Sequence, residues 1–545
     1  MRTRKHPGSP GKQARQDKGI RPAEPARQDK GIRPAEPAGQ DEGIRPAEPA
    51  IQTEGSESAG KAGRVRRRKP SACPEARAFF WIALIGGIII LLLTPPMTAP
   101  DEQAHFTTIW PIAHGQPLAR PDEGSRLYRT IPVEWIPYLE EYPDRLIGVE
   151  NTEKFTIEDF KYGLLQRQAT LPTERIYVAG VSTGYLASAA GMKAAAFLGT
   201  RCGVPYLNSI FGQILVGRGC NLIVYLLLIW LAIRKAPHFR RTMLLLGCMP
   251  MSLYLGCSLN YDAILIPLAM YYVSTILAMN AAPEKRITGT EILQICGCAF
   301  MLTGIKYAYA PLLLMLLAIP RSKYGSGKRL AQCVAAAVAS GLAGFLPSYL
   351  QSSLGIAMSP TANMAATAAA EQTEFLKTHI SFIPQLVLNT IRARGLSYVR
   401  SFWGTLGWLD VRITNKALIP GVLILGASAL AESFTFDGWT GKRWKNLLPL
   451  GAIGITTAGI AAVMYIEHTT LFHPVGNPII EGIQGRYFIP LFLPGMLAIS
   501  NTWGKKIRWL NREETGTWAR RGAILWSAVC AAVTIWTLLR RYWLP

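Results

Sequence analysis

Apolar runs of about 17–25 residues alternate with short polar turns from residue 78 to residue 539, which is the length a helix needs to cross ~30 Å of hydrocarbon. The pattern predicts about eleven transmembrane helices. They lie near 78–94, 207–233, 241–258, 262–280, 290–305, 307–319, 330–350, 417–434, 447–466, 487–501 and 522–539. A twelfth apolar stretch, 181–199, is shorter and rich in Ala, Gly and Ser. Counting it as a crossing would put Arg234, Lys235, Arg240 and Arg241 on the outer side, so it is read as a juxtamembrane helix lying at the interface. The expected fold is therefore an all-α, multi-pass integral membrane protein with a long first extracytoplasmic loop, 95–206.

Charge supports this register. The chain has 58 Lys and Arg against 35 Asp and Glu, a formal net charge of +23 at 49% hydrophobic residues and a mean hydropathy of +0.17. Such a surplus can signal nucleic-acid binding, but no aromatic-basic platform accompanies it. The positive-inside rule accounts for it better. Under one assignment the clusters at Lys285 and Arg286, at Arg321 to Arg329, at Lys442 to Lys445 and at Lys505 to Arg521 all face the cytoplasm. The pair Arg540 and Arg541 at the end of the chain is the exception. Arg64, Arg66, Arg67, Arg68 and Lys69 abut the first span and place the N-terminus in the cytoplasm, at a cell membrane.

Residues 1–75 differ from the rest. A twelve-residue unit recurs at 15–26, 27–38 and 39–50, each copy ending in Gly-Ile-Arg-Pro-Ala-Glu-Pro-Ala. Short repeats rich in Pro, Gly and charge cannot bury a core, so this reads as a disordered cytoplasmic tail. The apolar segment starts too late for a signal peptide. The nine cysteines form neither a disulfide framework nor a zinc spacing.

The same topology gathers unusual polar residues on the outer side. Asp101, Glu102 and His105 follow the first span, and Arg218 interrupts the second. Asn260 and Asp262 open the fourth, Lys306 lies at an outer turn, and Arg486 and Tyr487 open the tenth. Ionisable groups at membrane depth are costly and mark water-filled cavities or sites. A carboxylate can take the proton of an attacking alcohol, while Arg and Lys suit an anionic phosphate whose charge grows as it leaves. Asp101, Glu102, His105 and Asp262 are also a set that can hold a hard divalent cation, magnesium or manganese. Each residue has a plainer reading: Asp101, Glu102 and Asp262 as helix caps, Lys306 and Arg486 as snorkelling side chains.

Pro100-Asp101-Glu102-Gln103-Ala104-His105-Phe106 resembles the opening motif of the bacterial membrane-protein family catalogued as domain of unknown function 2142. That family is related to the GT-C glycosyltransferases, which use polyprenyl-phosphate sugars. Weaker matches are Gly217 to Asn221, Ser258 to Asp262, Gly304 to Tyr307, Gly407-Trp408-Leu409-Asp410 and Gly485-Arg486-Tyr487, and the likeness covers about 76–505. Val181 to Leu186 departs from the Pro-Pro-Leu-Tyr-Tyr type of sequence that family members often carry. The resemblance implies a GT-C-like fold. It also implies Asp101 as catalytic base, supported by Glu102 and Asp262, and a donor phosphate held by Arg218, Lys306 and Arg486, with His105, Asn260 and Tyr487 nearby. The implied activity is transfer of a sugar from a polyprenyl-phosphate carrier to a cell-surface glycan or lipid. Its partners are that carrier and membrane lipids, with no nucleic acid. The alternatives are a lipid or glycan flippase or transporter, which wants charges through the midplane and broken helices in inverted repeats, and a non-catalytic scaffold.

Overall fold

Seven helices among the described residues are long and apolar enough to cross a membrane. They are Pro74–Leu93, Ile210–Lys235, Asp262–Asn280, Gly327–Leu354, Asn415–Phe434, Trp444–Phe472 and Glu513–Tyr542. The structure, a computed structural model, describes residues 73–545 except 125, 141–142, 150–152, 166–172, 179, 355–359 and 437–442. The repeat tail, the basic cluster before the first helix and Lys442 lie outside the described residues. The described residues belong to one compact unit.

The other four expected spans are short or broken, and proline explains most of it. The segment 241–258 is two helices, Arg240–Gly247 and Pro250–Gly256. Pro250 lacks the N–H that would continue the first, and Met249 is extended. The segment 307–319 is a 3-10 helix, Tyr307–Ala318, containing Pro311. The tenth expected span divides into a 3-10 turn, Gly485–Phe488, and a short helix, Phe492–Ala498, on either side of Pro490. The helix Gly289–Ile305 is continuous but has only 17 residues. Two helices that the apolar runs did not predict, Pro360–Thr378 and Ile383–Trp403, fill the stretch before residue 404.

The fold is nearly, not wholly, helical. Within the first long loop, β1 (Arg120–Pro121), β2 (Leu127–Pro132) and β3 (Thr173–Tyr177) form an antiparallel sheet in the order β1-β2-β3. A second, two-stranded hairpin joins β4 (Thr405–Leu406) to β5 (Val411–Arg412). Strands this short leave no signal in a search tuned to membrane-length runs. The stretch 181–199 does supply a helix, Leu186–Arg201. It packs closely on Ile210–Lys235, because a Cβ at Gly191 would stand 2.4 Å from Cys220 Sγ.

The last helix shows what surrounds Arg540 and Arg541. Glu513–Tyr542 runs beside Pro74–Leu93, and its end is sewn to the first loop. Trp543 Nε1 donates to Leu93 O at 2.8 Å, and Phe155 N donates to Tyr542 O at 2.7 Å. Lys154 Nζ donates to the carbonyls of Arg540 and Arg541 at 3.1 and 3.2 Å, and Arg541 Nη2 donates to Leu146 O at 2.7 Å. Arg540 and Arg541 therefore sit at the end of the bundle where the first helix exits, against the first loop.

Gly289–Ile305 and Gly327–Leu354 make a close helix contact. A Cβ at Gly344 would lie 2.0 Å from Phe300 O, a backbone atom that cannot swing away, whereas nothing lies within 4 Å of a Cβ at Gly297. Gly344→Ala should destabilise the protein by ~1–3 kcal/mol or more, and Gly297→Ala should leave it unchanged or slightly stabilised. Thermal unfolding in detergent checks this, and equal melting temperatures for the two variants would show that the pair is not tightly packed.

Candidate functional site

The site begins where the first helix ends. Residues 94–101 contain three prolines and two non-glycine residues with positive φ, Met97 at 61° and Asp101 at 59°. Backbone of this kind persists only where its surroundings over-determine it. Here the constraint is Arg218, a fully buried arginine on Ile210–Lys235. Its Nε donates to Glu102 Oε1 at 2.8 Å and its Nη2 to Glu102 Oε2 at 2.5 Å, a bidentate pair. Nη1 also donates to Leu91 O and Thr94 O at 3.4 and 2.6 Å, and Nη2 to Pro95 O at 3.0 Å. All five guanidinium N–H groups are thus engaged. Glu102 Oε1 further accepts from Leu259 N at 3.0 Å, which ties in the turn before Asp262. From the other side Trp408 Nε1, in the β4–β5 turn, donates to Met97 O at 3.1 Å.

Asp101 stands at the start of helix Glu102–Ala113 but makes no side-chain cap bond. Its side chain is 52% exposed, and its Oδ2 accepts from Arg486 Nη2 at 2.9 Å. Asp262 Oδ2 lies 3.9 Å from Arg486 Nε. Arg486 is itself only 3% exposed, and its Nε and Nη1 have no hydrogen-bond partner. The ammonium of Lys306 lies 4.2 Å above the Tyr487 ring and 5.6 Å from the Tyr261 ring. It forms no hydrogen bond or ion pair among the described residues. Two carboxylates, one under-satisfied guanidinium and one unpaired ammonium therefore share a single aromatic-walled place.

His105 completes that wall. Its Nδ1 is 2.7 Å from the Tyr185 hydroxyl, and its ring packs edge-on to Tyr261 at 5.1 Å. Burial pushes the imidazole down to about 4, with Arg486 acting the same way and Asp101 opposing, so it is neutral at pH 7. Asn260 is a turn-former: its Oδ1 accepts from Ala263 N at 2.8 Å and its Nδ2 donates to Leu255 O at 3.0 Å.

The family profile described as Predicted membrane protein (DUF2142) matches residues 84–494. The chain belongs to that family. No curated protein and no solved structure matches it. The DUF2142 match spans every residue of the site from Asp101 to Tyr487 and stops short of the last helix.

Several expected roles change with the geometry. Arg218, expected at the donor phosphate, has no N–H left to offer a ligand, and Glu102, expected beside the base, is spent on Arg218 and Leu259. Both position the loop. The expected cation set is not assembled either. Among the described residues no three His, Cys, Asp or Glu side chains come close enough to hold a metal, because Glu102 is held by Arg218 and His105 Nδ1 by Tyr185. Asp101, Asp262, Lys306 and Arg486 do meet, with Tyr487 and His105 around them. Tyr185 and Tyr261 belong to the site and were not singled out. Tyr185 lies in the stretch that departs from the family pattern, where Ser182 Oγ also donates to Ile305 O at 3.0 Å, next to Lys306.

Arg218→Met should leave the Glu102 carboxylate buried and unpaired, at a cost of about 3–5 kcal/mol. The double change Arg218→Met with Glu102→Met should recover much of that. Unfolding of the two variants beside the unaltered protein checks it, and a double variant no more stable than the single would show that the pair does not act as a unit. For His105, the unfolded chain takes a proton at its ordinary value of 6.5 that the folded chain refuses until about 4. Stability should therefore fall as pH drops through that window. His105→Gln should flatten this dependence in melting temperatures measured from pH 6.5 down to 4, and an identical slope would rule out His105 as its source.

Proposed function

We propose that this chain is a membrane glycosyltransferase of GT-C type. It moves a sugar from a polyprenyl-phosphate donor to a cell-surface glycan or lipid, on the outer face of a cell membrane that the chain crosses about eleven times, counting broken segments, with its N-terminus in the cytoplasm. The observation that carries this reading is Arg486: buried, set between Asp101 and Asp262, with Nε and Nη1 unpartnered. A buried guanidinium with free donors suits a ligand that brings negative charge, and a phosphate accepts bidentately. The unpaired ammonium of Lys306 adds a second positive charge beside it.

The chemistry follows from the arrangement. The donor phosphate occupies Arg486 and Lys306, and in doing so competes with Asp101 for Arg486. Asp101, half exposed, is then released to accept the proton of the acceptor hydroxyl. The acceptor oxygen bonds to the anomeric carbon as the bond from that carbon to the phosphate oxygen breaks, and the pair of electrons leaves with the phosphate. Arg486 and Lys306 stabilise the charge that grows there. Asp262 stays beside Arg486 and holds it in place. Neutral His105 and Tyr185 form an uncharged wall that does not compete for the phosphate.

A transporter of the same lipid is the second reading, favoured by one feature. Asp262, Lys306 and Arg486 each stand where a helix starts or breaks, as discontinuous helices do around transported substrates. Purified protein in liposomes, offered a panel of polyprenyl-phosphate sugars together with cell-surface glycans and lipids as acceptors, separates the two. Transfer releases polyprenyl phosphate, and transport moves the lipid with its sugar still attached. Asp101→Asn should cut release by ~10²–10⁴-fold, with the protein folded. Release by Asp101→Asn close to that of the unaltered protein would remove Asp101 as base, and movement of intact lipid without release would favour transport.

A further inference from the structure

A second charged cavity lies away from Arg486. It has a volume of about 340 Å³ and is lined by Lys154, Asp410, Arg412, Trp536, Arg540 and Arg541, among others. It opens between the end of the last helix, Glu513–Tyr542, and the start of Asn415–Phe434, under the first loop. Four basic residues surround one acid. Asp410 is already engaged, with Oδ2 accepting from Gly148 N at 2.9 Å and lying 4.0 Å from Arg541 Nη2. Lys154 and Arg541 are spent on the carbonyls that hold the last helix to the loop. Arg412 and Arg540 are exposed, and their guanidinium groups make no hydrogen bond or ion pair among the described residues. Two unpaired guanidinium groups face a cavity whose one described acid, Asp410, is held by Gly148 and Arg541, so the excess positive charge there favours an anion.

The position of these arginines is informative. A basic pair at this end of the bundle runs against the charge asymmetry of the rest of the chain. Arg541 repays that by docking the helix, but Arg540 has no such task. One wall of the cavity is the end of Glu513–Tyr542, a helix long enough to cross a membrane, and Thr414 on the other side immediately precedes a second such helix. Trp536, one helical turn before Arg540, is 59% exposed, and Val149 at the mouth is 75% exposed. An exposed Trp beneath an Arg at a helix end is the arrangement that meets the boundary between hydrocarbon and head groups. An anion reaching this cavity thus comes from the lipid side as readily as from water.

We infer that Arg412 and Arg540 hold the phosphate of a membrane lipid, with Trp536 against the upper part of its chains. The chemistry is that of a phosphate ester, and the lipid distinguishes itself from free phosphate by the apolar contact at Trp536 and Val149. The site is separate from Arg486 and does not depend on the catalytic reading. Its link to Asp101 is mechanical. Arg412 belongs to β5, and the β4–β5 turn carries Trp408, which holds Met97 O four residues before Asp101.

The test is native mass spectrometry of the full chain released from detergent containing phosphatidylglycerol or phosphatidylcholine. The unaltered protein should retain at least one phosphatidylglycerol, with affinity falling about tenfold or more in Arg412→Gln with Arg540→Gln. The pair Arg412→Lys with Arg540→Lys should restore most of it, which guards against a merely misfolded variant. Arg486→Gln should leave this lipid in place. Equal retention by the unaltered protein and the double Gln variant would overturn the proposal. So would displacement of the lipid by millimolar inorganic phosphate, which would make the cavity a site for free phosphate.

Discussion

The bidentate pair of Arg218 with Glu102 is the interaction on which the rest of the site depends. An arginine fully buried in an apolar helix is expensive unless each of its N–H groups is met, and here each is. Its acceptors belong to the end of the first helix, the proline-rich turn after it and the start of the next helix. Through Glu102 it also reaches the turn that precedes Asp262. Satisfying one side chain therefore fixes three backbone segments at once. The strained φ at Asp101 is held from behind by this pair, and that leaves the Asp101 carboxylate, which makes no cap bond, free to meet Arg486.

Around that pair the charged groups follow a common rule. Asp101, Asp262, Lys306 and Arg486 each occupy a place where regular helix starts, stops or tightens. Irregular backbone at membrane depth is tolerated only where it is buried in protein or lines a polar cavity, so broken helices and costly side chains tend to coincide. Proline is the device that sets the breaks. It stands in the turn before Asp101, at Pro250 ahead of the segment leading to Asp262, at Pro311 after Lys306 and at Pro490 after Arg486. Tyr261 and Tyr487 then line the space between the charges.

Much of this was legible along the chain, for physical reasons. The length of apolar runs located all seven full-length helices, because hydrocarbon thickness sets a hard minimum on a crossing. Run length is blind to breaks, however, so segments 241–258, 307–319 and 487–501 read as spans although their prolines interrupt them. Ionisable residues inside apolar sequence marked Arg218, Lys306 and Arg486 as unusual. What each one does was not readable, since Arg218 and Glu102 are 116 residues apart and only the folded chain shows that they consume each other. Tyr185 and Tyr261 escaped notice because an aromatic near a membrane surface is ordinary in composition and becomes specific only through contacts such as the bond between Tyr185 and His105. The small sheet escaped because β2, the longest strand, has six residues.

The stitching of Leu146, Glu153, Lys154 and Phe155 to residues 540–542 has a consequence for biosynthesis. Lys154 and Arg541 are partners across 387 positions, so the first loop emerges from the ribosome long before the groups it binds exist. Until the last helix is in place, Phe155 N and the carbonyls of Leu146 and Glu153 lack the partners they have in the folded chain. Completion of the loop is therefore a late, post-insertion event that closes a very long loop in a single step. A chain that terminates even a few residues early would lose the clasp while keeping almost every membrane segment.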